Sequence, residues 1–391
     1  MTQHHFETAL IHGGYDSSTP HADGTGAVNV PVYLSSTFRQ PAPGQHTGYE
    51  YSRTGNPTRS VLEALVAELE GGVASFAFAS GMAAITACIS LLNSGDTVII
   101  SQNVYGGTYR VLDKVFTRFG INYLIEDTND VAALSEKLTP DVKAVLVETP
   151  ANPLLTVTDI AALAKLTKAH GILLMVDNTF MTPYLQRPLE LGADIVIHSA
   201  TKYLGGHSDL IAGLVVVSTA ELAEKIHFIL NSTGGILQPF DSYLLVRSIR
   251  SLGVRMDRHV ANAEAVAEYL NKHPAVSAVY YPGMPDNPGF ETQQQQAKNG
   301  GAMVSFELAD GYDVTKFFTA LKLVVLAESL GGVETLVGHP VTMTHASIPP
   351  ELRAKMGITD RLIRLSVGIE NVADIIADLD KALESSAEMA G

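Results

Sequence analysis

Two short stretches hold residue types that could do chemistry together: Met175-Val-Asp-Asn-Thr-Phe180 and His198-Ser-Ala-Thr-Lys-Tyr-Leu-Gly-Gly-His-Ser-Asp209. Asp177 closes the apolar run Gly171 to Val176, and Lys202 follows the run Ala193 to His198 by way of Ser199 and Thr201. Neither run alternates, which is the pattern of parallel strands buried on both faces. In open α/β sheets ligands sit beyond the carboxyl ends of the strands, so this acid and this amine are expected to meet in one crevice. A lysine there can form a Schiff base with an aldehyde, and an acid beside a pyridine nitrogen keeps that nitrogen protonated. Together with hydroxyls and backbone N–H groups for a phosphate, these are the parts that pyridoxal 5'-phosphate needs.

The elements that must position them follow from the pattern around them. Thr58 to Leu69 has apolar residues at helical spacing and ends at Gly71-Gly72, which predicts a helix. Val73 to Ala79 reads as a strand, and Ala83 to Leu92 as a helix. Ser80-Gly81-Met82 between them is a tight turn whose N–H groups suit a phosphate, although Ser-Gly alone reads equally as a helix cap. Strands are predicted at Thr97–Ile100, Tyr123–Ile125, Ala144–Val147, Leu173–Val176 and Ile195–Ile197, with a last, antiparallel one at Leu214–Val217. Helical stretches separate them, which implies a doubly wound α/β sheet. After Ser242 to Leu252 the pattern changes, and Ala278–Tyr281 and Gly301–Leu308 alternate as strands with one exposed face. The chain therefore divides into an irregular arm (1–48), a cofactor-binding domain (49–249) and a smaller α+β domain (250–391). The arm is rich in Gly and Pro, and its apolar stretch Val28 to Tyr33 is expected to pack on a neighbouring subunit. Gln293 to Gln296 reads as a solvated helix face.

Composition narrows the function classes. A net charge of −15 over 391 residues argues against nucleic-acid and anionic-membrane partners and for a small-molecule substrate. The single cysteine, Cys88, excludes an intrachain disulfide and a cysteine-based metal cluster. No apolar stretch approaches membrane-spanning length, and the amino-terminal residues lack the pattern of a secretory signal, so a cytoplasmic location is expected. Neither G-x-G-x-x-G, a Walker loop, H-E-x-x-H nor a complete G-x-S-x-G occurs.

Asp177-Asn-Thr and Ser199-Ala-Thr-Lys202-Tyr also resemble the cofactor motifs of the Cys/Met-metabolism family of pyridoxal-phosphate enzymes, which contains the cystathionine lyases and synthases. The resemblance runs from about His12 to about Leu379, in order and spacing. It implies the aspartate-aminotransferase-like fold (fold type I), with Lys202 as the lysine that carries the cofactor and Asp177 at the pyridine nitrogen. It further implies Ser199, Thr201, Gly81 and Met82 at the phosphate, and Asn152, in Thr149-Pro-Ala-Asn-Pro153, at the ring hydroxyl. Tyr105, between Val104 and Gly106-Gly107, matches the tyrosine that stacks on the ring and assists the leaving group. Tyr51 and Arg53 match residues that reach the neighbouring subunit's phosphate, so the resemblance implies a homotetramer, a dimer of dimers with sites built from two chains.

For the substrate, Arg364 matches the clamp for an α-carboxylate, where an arginine on an alternating strand would otherwise read as a surface charge. Glu328-Ser329 matches a nearby loop, with Ser329 expected to bond the freed lysine. Glu50 and Arg110 match an acid and a base near the distal end of the substrate in cystathionine γ-lyases. Gly107 stands where methionine γ-lyases usually carry cysteine. The expected reaction is α,γ-elimination of cystathionine, possible β-lyase side activity included. Cystathionine γ-synthase is the alternative, and a non-catalytic binder of the cofactor a remote one.

Overall fold

The computed structural model describes residues 4–15, 26–344 and 350–387. A helix, α1 (Phe6–His12), precedes α2 (Pro57–Glu70). The sequence reading left no helix in the first 48 residues, yet Phe6, Ala9 and Leu10 fall at helical spacing. Leu10 is buried, and the Phe6 ring meets Tyr184 at 5.9 Å. Seven residues are too short a run for the period to stand out among the surrounding glycines. Further on, Val28 and Leu34 stay 81% and 75% exposed, unlike any packed core.

Asn56 starts α2 by accepting from the N–H groups of Thr58 and Arg59, Pro57 fits the first helical turn, and Gly71 ends the helix at φ 72°. The strands that follow are β1 (Ala74–Phe78), β2 (Thr97–Ser101), β3 (Asn122–Glu126), β4 (Val142–Glu148), β5 (Leu173–Asp177), β6 (Ile195–Ser199) and β7 (Gly213–Val217). They form one sheet in the order β1-β7-β6-β5-β4-β2-β3, parallel except for β7, which runs against both neighbours. The continuous Val, Ile and Leu runs of β2, β4, β6 and β7 are buried on both faces, as their lack of alternation required. Edge strand β3 is the exposed exception, leaving even Leu124 and Ile125 partly in solvent.

A second sheet comprises β8 (Val276–Tyr280), β9 (Met303–Leu308), β10 (Val325–Leu326), β11 (Leu336–Gly338) and β12 (Leu362–Ser366), in the order β10-β11-β12-β9-β8. Arg364 lies mid-way along β12, paired with Gly338 on one side and Ser305 on the other. It is therefore buried, where a bare reading of the strand pattern favours a surface charge. The glutamine run is the expected solvated face at Gln294 and Gln295 but not at its ends. Gln293 is fully buried and donates to the Asn299 carbonyl, while Gln296 bonds both Thr158 and Ile160.

One close approach shapes the entrance to the crevice. A Cβ placed on Gly213, at the start of β7, would lie 2.1 Å from the Ser80 carbonyl oxygen and 2.9 Å from the Gly81 nitrogen. Both are main-chain atoms and neither side can swing away. Gly213→Ala is expected to cost about 1–3 kcal/mol of stability, read as a lower midpoint in urea unfolding without a change in slope.

Candidate functional site: a pyridoxal-phosphate crevice

The parallel strands deliver three polar side chains to one edge of the sheet. Glu148, Asp177 and Ser199 are the last residues of β4, β5 and β6, and Glu148 pairs with Asp177 in register. Helix α3 (Gly81–Ile89) begins at the same edge, with Ser80 capping it through the Ala83 N–H. The first N–H groups of such a helix have no intrahelical acceptor and carry its positive end, which favours an anion. A Cβ on Gly81 would sit 2.8 Å from that of Ser199, so only glycine leaves the cradle open. Helix α4 (Gly106–Lys114) starts just after Tyr105. Any side chain at Gly107 would meet the Tyr105 ring at 2.4 Å, so the glycine holds room for that ring.

These elements enclose a cavity of about 260 Å³ whose lining includes Ser80, Gly81, Met82, Tyr105, Glu148, Asn152, Asp177, Ser199, Thr201, Lys202, Glu328, Ser329 and Arg364. Lys202 Nζ donates to Ser329 Oγ at 2.9 Å, the contact expected of a free lysine. Ser329 holds a positive φ of 95°, a conformation that a non-glycine residue keeps only when its surroundings dictate it. Arg364 supplies that constraint. Its two terminal nitrogens donate to Asn152 Oδ1 and to the Ser329 carbonyl, both at 3.0 Å, so one guanidinium joins the two sheets over the lysine.

Desolvation sets the charge states. Burial, with the Arg364 guanidinium adding to it and Glu328 opposing, pulls the Lys202 ammonium from 10.5 down to about 8. Arg364 itself is lowered to about 10, chiefly by burial. Burial also raises Asp177, against the hydroxyl and N–H of Thr179 that both donate to its Oδ1. Glu148 is pushed up to about 8 by burial and then by the Asp177 charge. Glu148 escaped the sequence reading, although it closes an apolar run just as Asp177 does. Its carboxylate accepts from the Tyr105 and Asn152 N–H groups at 3.1 and 3.4 Å, linking the loops after β2 and β4.

Arg110 and Glu50, expected near the substrate, lie outside this chain's own crevice, as do Tyr51 and Arg53, which were expected at a neighbour's phosphate. Arg110 is exposed and lines a separate groove of about 640 Å³ that shares Met82 with the crevice. Glu50 is exposed beside His46 at 3.8 Å. Arg53 lies over the Tyr51 ring at 5.3 Å, both turned outward. Buried Arg59 fixes that segment by donating to the carbonyls of Ser52 and Arg53.

The donors fit the group that the sequence implies: an anion cradle at one end, an acid beneath the middle, and a partly neutral lysine amine facing it. A mostly parallel sheet bearing this set at its carboxyl edge defines a pyridoxal-phosphate enzyme of the aspartate-aminotransferase-like fold, fold type I. Residues 7–384 match the family model described as Cys/Met metabolism PLP-dependent enzyme, and the chain belongs to that family. It is 54% identical over 379 residues to the cystathionine gamma-lyase of Bacillus subtilis (strain 168), covering 97% of this chain and 99% of that protein. It is 52% identical over 378 residues to the cystathionine beta-lyase of Lactococcus lactis subsp. cremoris (strain MG1363), covering 97% and 98%. Among solved structures, cystathionine gamma-lyase from Lactobacillus plantarum complexed with L-serine superposes with a TM-score of 0.95 at 52% identity, covering 98% of this chain and 99% of that one.

A lysine near pH 8 has a consequence for cofactor loading, because only the free amine attacks the aldehyde. The rate at which cofactor-free protein takes up pyridoxal phosphate is expected to rise through about pH 8 and level off above it. Stopped-flow absorbance checks this; Lys202→Ala should show no such step, and a midpoint near 10.5 would mean the lysine is not desolvated.

Proposed function

We propose that this pyridoxal-phosphate-dependent lyase cleaves cystathionine and water to cysteine, 2-oxobutanoate and ammonia by α,γ-elimination, with β-elimination as a secondary activity. The observation that carries the reading is the Lys202–Ser329–Arg364 arrangement: a mobile base beside a buried carboxylate clamp suits an α-amino acid. Kinship with a cystathionine gamma-lyase and a cystathionine beta-lyase at similar identity supports both activities without ranking them. A protein that merely stored the cofactor would need no clamp.

The bound cofactor supplies an electron-accepting ring. In this reading Asp177 keeps the ring nitrogen protonated, Asn152 bonds the ring hydroxyl, and Ser199, Thr201 and the N–H groups at Gly81 and Met82 hold the phosphate. Arg364 takes the substrate α-carboxylate in its planar fork. Lys202, handed to Ser329 when free, removes the proton from Cα and then one from Cβ. Its lowered affinity for protons matches that work near neutral pH. Tyr105, which lines the crevice, would pack against the bound cofactor and protonate the departing sulfur.

Tyr51 and Arg53 are exposed, stack on each other and line no part of their own chain's crevice, which supports a homotetramer in which they serve a neighbour's phosphate. Glu50 and Arg110 would meet the distal end of the substrate only across such an interface. We also read the enzyme as cytoplasmic, on the sequence grounds given above.

Product analysis separates the readings. Cystathionine should yield chiefly 2-oxobutanoate and cysteine, with less pyruvate and homocysteine. Dominant pyruvate would make it a β-lyase, and efficient consumption of an O-acylhomoserine with cysteine a synthase. Lys202→Ala should abolish turnover while the chain stays folded. In subunit-exchanged mixtures of Lys202→Ala with Arg53→Ala, random pairing should restore roughly a quarter of wild-type sites. Activity no higher than the parents' average, in mixtures proven hybrid by mass, would mean that Arg53 serves its own chain.

A further inference from the structure

Behind the crevice, on the side away from the cavity, lies a polar cluster in an otherwise apolar region. Glu70, the last residue of α2, and His198 on β6 are both fully buried, with His198 Nε2 2.6 Å from Glu70 Oε1. A carboxylate oxygen only accepts, so Nε2 carries the proton. The same Oε1 accepts from Asn178 Nδ2 at 3.1 Å, and Asn178 Nδ2 also donates to the Gln186 carbonyl at 2.8 Å. Gln186 Nε2 donates in turn to Asn178 Oδ1 at 3.0 Å and to the Thr149 carbonyl at 3.2 Å. Asn178, Gln186 and Thr149 are all at most 2% exposed.

Three members of this chain of bonds are the direct sequence neighbours of crevice residues. Thr149 follows Glu148, Asn178 follows Asp177, and His198 precedes Ser199. Strand side chains alternate between faces, so a hold on one residue fixes the direction of the next. The network therefore grips the ends of three adjacent strands from behind. Burying a carboxylate here is costly, and apolar packing of equal volume would hold the sheet together at least as well. What apolar packing would not do is set strand ends to within a few tenths of an ångström.

We propose that Glu70, His198, Asn178 and Gln186 form a positioning network, anchored on the Glu70 carboxylate, that aligns Asp177, Glu148 and Ser199 toward the cofactor. The inference rests on the cofactor site proposed above. None of the four touches the cavity, so each acts through a neighbour.

Glu70→Gln keeps the side-chain shape and one acceptor oxygen but removes the charge. Titrating the cofactor-free variant with pyridoxal phosphate should give a dissociation constant raised about tenfold, the scale of loss seen when an outer partner of a bound group is removed. The visible circular-dichroism band of the bound cofactor, which arises only from fixed asymmetric surroundings, should weaken in parallel. Val66→Ala, a packing change on the same helix, should lower the melting temperature and leave affinity and band as they were. If Glu70→Gln does not fold, Gln186→Met, which cuts the link to Thr149 and spares the Glu70–His198 pair, is read in the same way. Changes in affinity below about threefold, with an unaltered band, overturn the inference. Asp177→Asn and Ser199→Ala guard the underlying site: if both bind the cofactor normally the crevice assignment fails, and if they lose affinity while the network variants do not, the network alone fails.

Discussion

The whole site depends on one guanidinium. Arg364 is buried in the centre of the second sheet and spends its donors on Asn152, beyond the end of β4, and on the carbonyl of Ser329. Those two bonds hold together parts of the chain separated by more than a hundred residues and turn Ser329 toward Lys202. A buried cation with only neutral partners is expensive unless an anion arrives. Arg364 hydrogen-bonds only an amide and a main-chain oxygen, with the Glu148 and Glu328 charges acting on it without a direct bond, which leaves room for the substrate carboxylate of the proposed function.

Desolvation then does two opposite things with one physical cause. It lowers Lys202, because an ammonium loses its water, and it raises Asp177 and Glu148, because carboxylates lose theirs. For Asp177 the burial effect is opposed in part by the Thr179 donors and by His198, and the net direction stays upward. Glu148 has main-chain N–H donors and the more distant Arg364. Two acids one strand apart thus share the upward shift but are opposed by different donors, Thr179 for Asp177 and the Tyr105 and Asn152 N–H groups for Glu148. The lysine opposite is left partly neutral, which a nucleophile and base requires.

Much of this was legible in the sequence because strand ends leave a clear mark. Asp177 and Lys202 follow unbroken apolar runs, and those runs mark the strands of the first sheet, the antiparallel β7 included, though not their order across it. Glu148 carried the same mark and was passed over for want of a second motif beside it. The remaining differences share a physical origin: tertiary partners that local pattern does not encode. Gln293 looks like a solvated residue until Asn299 folds back to meet it, and Arg364 looks like a surface charge until β9 and β11 flank it. Helix α1 owes its existence to the Tyr184 surface rather than to its own seven residues, since so short a helix is unstable alone. Glu70 and His198 show no functional spacing at all, being 128 residues apart and joined only by the fold.

The same division between buried and exposed groups bears on reaction choice. In the proposed function the buried set would handle the amine, the α-carboxylate and the proton at Cα, features that every α-amino acid shares. Whether a Cβ–S or a Cγ–S bond breaks depends on how the far end of the substrate lies. The rim there includes Tyr105, Ile211 and Glu328, all solvent-exposed, Ile211 by 63%. Exposed charges are screened, and a contact such as Glu328 could make is worth about 1 kcal/mol or less, less than tenfold in rate. A single chain therefore has little means to separate γ- from β-elimination. Sharper choice requires the rim to be dried by another surface, and the fixed, outward-facing segment from Glu50 to Arg53 is chemically suited to do so from a second copy. In the shared-site reading proposed above, assembly governs reactivity, through the neighbour's Tyr51 and Arg53 at the phosphate, as well as specificity, through Glu50 at the rim.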